Sequence, residues 1–145
     1  MPEDYVDWQK FLFKKINKLT YKRHPKQLLN FKFENINFEN GALEKIYQNY
    51  DYIIFDYLNS LAFNQIVQTQ LPIIYFNIGL AQFSKLGQKY LKKRCFTINV
   101  NIFENYRGFN KIFTTKFVKK NNMFSTLFCG SKESSNQTDI LLKLV

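Results

Sequence analysis

A chain of 145 residues with a formal charge of +10, 46% hydrophobic and 18% aromatic, is long enough to bury a core and too apolar for wholesale disorder. No run approaches the roughly 18 apolar residues of a membrane span, and Glu3, Asp4 and Asp7 stand where a secretory leader would be basic, so the sequence predicts a cytoplasmic protein. A single His, and Cys95 and Cys129 outside any CxxC pair, predict no metal site, no cofactor and reduced thiols, while the positive field favours anionic partners.

Tyr5, Trp8, Phe11, Leu12 and Ile16 recur at helical spacing, with Lys14, Lys15 and Lys18 near the negative end of the dipole, so a helix is expected over 5–17. Leu19–Arg23 reads as a short strand stopped by His24-Pro25, because proline excludes helical geometry from the residue before it. A second strand is expected around Asn35–Phe38, then a turn at Asn40-Gly41 and a short helix over Ala42–Asn49. Tyr52-Ile53-Ile54-Phe55 is nearly continuously apolar, as a central parallel strand covered on both faces would be. A helix over 60–70, capped near Asn59 or Ser60, leads to a strand at Pro72–Phe76 and completes a β-α-β unit.

Beyond it, Gln82–Lys93 reads as a basic helix, Phe96–Ile98 as a strand, and Ile102–Phe113 as a helix with Phe103, Tyr106 and Phe109 three apart. A helix over 116–129 and a polar, turn-rich stretch over 130–138 follow. The expected fold is therefore α/β, a Rossmann-like, mostly parallel sheet flanked by helices, over residues 1–129, with 130–145 as a tail.

In such sheets ligands gather beyond the carboxyl ends of the strands, which selects two loops. One is Arg23-His24-Pro25-Lys26, an imidazole between two cations. The other is Asp56-Tyr57-Leu58-Asn59-Ser60, leading into a helix whose free amides suit an anion. His24 would donate to a phosphate and help it depart, and Ser60 would add its hydroxyl. Against this stands the plainer reading, in which His24-Pro25 ends a strand and Ser60 is an N-cap. Asp56 is the best-placed carboxylate near these loops, and it too suits a turn or cap.

Taken in order, Tyr21–Lys26 with its His-Pro pair, Asn40–Leu43, Tyr50–Tyr57, Ser60 and Leu71–Ile74 resemble the C-terminal half of GT-B-type glycosyltransferases of bacterial surface polysaccharide and lipopolysaccharide biosynthesis. The likeness spans about residues 10–110. It implies donor binding with a nucleotide-activated sugar, CMP-linked among the options, His24 as the catalytic phosphate contact, and Arg23, Lys26, Asp56, Asn59, Ser60 and Gln65 around the donor. The related pattern often has two consecutive Ser/Thr residues where only Ser60 stands, and a helix Glu where this chain has Asn64 and Gln65. The resemblance also implies a glycan or lipid-linked acceptor and a partner N-terminal half, with weak activity for the chain alone.

A different class stays open, a basic, aromatic-rich nucleic-acid or ribonucleoprotein component, as does a non-catalytic scaffold for another transferase subunit. Lys85, Lys89, Lys92, Lys93 and Arg94 of the stretch Ser84–Arg94 read as a solvated helix face or as a peripheral contact with the inner face of a membrane.

Overall fold

A computed structural model describes residues 3–22 and 36–114. Its fold is α/β with two small parallel sheets, of two and three strands, in two compact units, Met1–Lys45 and Ile46–Val145.

In the first unit α1 spans Glu3–Lys15. Glu3 and Asp4 open it and Lys14 and Lys15 close it, each sign at the end of the dipole that favours it. Trp8 and Leu12, four residues apart on one face, are its buried residues, and Trp8 stacks on Phe11 at 6.0 Å. Strands β1 (Thr20–Lys22) and β2 (Asn37–Glu39) pair in parallel with Tyr21 opposite Phe38, and those two rings meet edge to face at 6.0 Å. The Glu39 carboxylate accepts from the Gly41 amide at 2.8 Å, which makes the expected Asn40-Gly41 turn. Helix α2 (Leu43–Ile46) and a 3-10 turn at Tyr47–Asn49 together cover the short helix expected there.

The second unit is built on β3 (Ile53–Phe55), β4 (Ile73–Asn77) and β5 (Cys95–Asn99), joined in parallel in the order β3-β4-β5. Helix α3 (Leu61–Ile66) lies between the first two strands in sequence and α4 (Lys85–Arg94) between the last two. The central strand is β4, not the Tyr52–Phe55 run expected there. Ile73 to Phe76 are all buried, whereas Ile53 to Phe55 are half-buried and pair with one neighbour among the described residues. An apolar run of three residues fits an edge with one covered face as well as a centre, and only pairing decides between them.

The register gives the sheet two distinct faces. Phe55, Tyr75 and Thr97 share one, and Phe55 meets Phe63 of α3 edge to face at 5.3 Å. Phe76 is on the other and stacks on Phe109 at 5.7 Å. Phe109 belongs to a 3-10 turn, Phe109–Phe113, rather than to the helix expected over 102–113. Asn105 and Tyr106 are left-handed (φ 50° and 56°) inside a turn closed by the Arg107 amide on the Glu104 carbonyl, so a helix cannot run through them. Gly108 follows at φ 97°, where a Cβ would overlap the Asn99 carbonyl oxygen. Phe103, expected on the same face as Phe109, is 78% exposed.

Arg94, read from the sequence as one of a row of solvated cations, is 2% exposed. Its Nε donates to the Val67 carbonyl at 3.0 Å, and Nη2 to those of Ile66, Thr69 and Leu71 at 3.3, 2.9 and 2.9 Å. These carbonyls run from the last turn of α3 to the start of β4, where orphan helix acceptors need donors. Desolvation lowers the guanidinium pKa from its ordinary value and the neighbouring Cys95 opposes that shift, but a guanidinium stays charged. We expect Arg94→Lys, which replaces a planar fork by a point donor, to lose about 2–4 kcal/mol in denaturant unfolding. A loss under about 0.5 kcal/mol, the scale of ordinary surface changes, would show that the four bonds contribute little.

Candidate functional site at the carboxyl edge of the sheet

The three strands of the second unit end side by side, and their loops leave from one edge. Two apolar runs, Ile73-Ile74-Tyr75-Phe76 and Cys95-Phe96-Thr97-Ile98, each close on an asparagine, and the register sets Asn77 opposite Asn99. Asn77 Nδ2 donates to Asn99 Oδ1 at 2.9 Å. Asn77 Oδ1 in turn accepts from the Gly79 amide at 3.2 Å and from the Tyr75 hydroxyl at 3.4 Å. The ladder continues one step past the strands, with the Val100 amide on the Asn77 carbonyl at 3.0 Å. One layer below, beside Tyr75 in register, Thr97 Oγ1 is buried without a hydrogen-bond partner among the described residues.

Tyr75 is buried, and its pKa is pushed from 10.0 up to about 12, first by that burial, then by the negative charge of Asp56 and by Cys95. Its hydroxyl therefore stays a neutral donor throughout the physiological range. The coupling also brings Asp56, at the end of β3, into electrostatic reach of Tyr75 at the middle of β4. Asp56 is half-buried. The other carboxylate of these loops, Glu104, is engaged by the Arg107 guanidinium at 2.6 Å.

Ser60 is the N-cap of α3, its Oγ accepting from the Phe63 amide at 3.1 Å. The plainer of its two sequence readings thus holds. A cap oxygen keeps its own proton to donate, so the capping role leaves one hydrogen bond to offer. The anion site expected at this helix is smaller than anticipated, because α3 has only six residues and Ser60 already takes its third amide. Asn59 and Gln65 are exposed. Arg23, His24 and Lys26 lie outside the described residues.

Large apolar side chains stand exposed in the chain that follows each strand. Tyr57 (44% exposed) and Leu61 (82%) follow β3, Leu80 (48%) follows β4, and Phe103 (78%) follows β5. The edge combines neutral amides and hydroxyls with one carboxylate and an apolar rim. That set can hydrogen-bond a polar ligand; its acid–base group among the described residues is Asp56, once Glu104 is paired. Sequence reasoning reached Asp56, Asn59 and Ser60 and missed Tyr75, Asn77 and Asn99. The visible signal for the last two was the repeated closure of an apolar strand on Asn. Among the described residues no three His, Cys, Asp or Glu side chains are grouped to hold a metal ion, and no helix is long and apolar enough to cross a membrane.

Compared with known proteins, the chain matches no family model, no curated protein and no solved structure.

Raised from 10.0 to about 12, the Tyr75 pKa contributes stability that is fully present below pH 10 and is lost as pH rises through about 12. Ultraviolet difference titration should show one late tyrosine, absent in Tyr75→Phe. In Asp56→Asn that tyrosine should titrate earlier, since a like charge has been removed. An unchanged late step in Asp56→Asn would contradict the coupling.

Proposed function

We propose that this chain is the donor-binding half of a transferase acting in surface-polysaccharide or lipopolysaccharide biosynthesis, and that it takes a nucleotide-activated sugar at the carboxyl edge of its three-stranded sheet. In this reading the sheet is Rossmann-like and equivalent to the C-terminal domain of a GT-B fold. One observation carries the proposal: three parallel strands in sequential order deliver Asp56, Ser60, Asn77 and Asn99 to a single edge, where open α/β sheets bind their ligands. Tyr57 and Phe103 offer aromatic surface to a nucleobase. The net charge of +10 draws a phosphorylated ligand from a distance.

The roles divide by chemistry. His24, between Arg23 and Lys26, contacts the donor phosphate and stabilises it as it departs, and Ser60 adds the hydroxyl proton that capping leaves unused. Asp56 and the Asn77–Asn99 pair read the hydroxyls of ribose or sugar, and Gln65 serves where related transferases often carry Glu. Acceptor recognition, of a glycan or a lipid-linked glycan, falls to a partner half, so transfer by the chain alone is weak or absent.

Calorimetry with CMP and with a CMP-linked sugar tests this. The chain should bind both, and His24→Ala should weaken binding at least about tenfold, the scale of one lost charged hydrogen bond. Ser60→Asp separates the cap from the ligand contact. Aspartate caps as well as serine, so the unfolding midpoint should hold while the added negative charge repels the phosphate and binding falls. Parental affinity in both Ser60→Asp and His24→Ala would overturn the phosphate assignment.

A further inference from the structure

Helix α4 presents a feature that donor binding does not use. Lys85, Lys89, Lys92 and Lys93 are all exposed, and their spacing at 3.6 residues per turn sets them within an arc of about 100° on a helix about 15 Å long. The opposite side is committed to the core through Gly87, Leu91 and Arg94. None of the four ammonium groups meets a carboxylate within ion-pair distance among the described residues. From Tyr57 to Phe103 the chain has no Asp or Glu at all. Lys85 with Lys89, and Lys89 with Lys93, are like charges four apart, an arrangement that destabilises a helix.

We infer that this lysine face of α4 docks the protein on an anionic lipid surface. The alternative polyanion, a nucleic acid, fits the chemistry less well. Backbone and base recognition draw on arginine forks and on aromatic rings free to stack. The one arginine of α4 is buried on carbonyls, and its one aromatic, Tyr90, is half-buried with Lys89 and Lys93 over its ring at 5.9 and 5.2 Å. What remains exposed is a row of point charges beside one aliphatic side chain, Leu86, 53% exposed at the flank of the row. Point charges suit a surface whose phosphates are laterally mobile, and Leu86 suits the boundary beneath the headgroups.

The inference is independent of the donor site and is tested without a nucleotide. The full chain should co-sediment with vesicles of equimolar phosphatidylcholine and phosphatidylglycerol but not with phosphatidylcholine alone, and salt should release it. Replacing all four lysines (K85Q, K89Q, K92Q and K93Q) should reduce binding on the order of a thousandfold, from the loss of four near-surface charges, with the unfolding midpoint unchanged or raised. Leu86→Gln should weaken vesicle binding and leave any binding to single-stranded RNA unchanged. Failure to bind anionic vesicles, parental binding by the quadruple variant, or tighter lysine-dependent binding to single-stranded RNA than to vesicles would each overturn it.

Discussion

The second unit depends on a buried cation. Arg94 ends α4 and immediately precedes β5, and its guanidinium draws together the carbonyls of Ile66, Val67, Thr69 and Leu71. One side chain thereby ties the end of α3, the approach to β4 and the start of β5 at the amino edge of the sheet. A six-residue helix has little stability of its own, and α3 ends in carbonyls that would otherwise be orphaned beside a buried strand. Arginine is suited to the task because its planar fork satisfies several acceptors at once without losing its charge.

Fixing the amino edge sets the geometry of the opposite one. With β4 and β5 locked in register, Asn77 and Asn99 must meet, and the close approach of Gly108 to the Asn99 carbonyl holds the returning chain against β5. Tyr75 then stays a neutral donor beneath the pair, raised by burial and by Asp56. The edge is thus, among the described residues, a hydrogen-bonding surface with a single acid–base candidate, the half-buried Asp56. In the docking proposal the cationic face of α4 sets where the protein sits rather than what it holds.

Much of this architecture was legible in the sequence because it rests on local signals. The apolar runs at 52–55, 72–76 and 96–98, the Ser60 cap and the basic helix were each readable from period and capping chemistry. What was not legible depends on contacts between distant residues. That β3 has one partner strand among the described residues follows from pairing alone. Arg94 looks like its lysine neighbours until its carbonyl acceptors, 23 to 28 residues away, are known. The region 102–113 carried a helical spacing of aromatics, but left-handed Asn105 and Tyr106 and the glycine that follows override it. At the site, Ser60 was recognised by a local rule, whereas the Asn77–Asn99 bond joins side chains 22 residues apart and needed the register.

In the proposed function one edge of the parallel sheet receives the nucleotide. Amide chemical-shift mapping of the full chain during a titration with a CMP-linked sugar is the direct test. Saturable shifts are expected in the three loops after β3, β4 and β5, at Asp56–Ser60, Asn77–Gly79 and Asn99–Asn101, with the exposed lysine face of α4 unaffected. Shifts confined to α4 and released by modest salt, or no saturable shifts at the three loops, would contradict it.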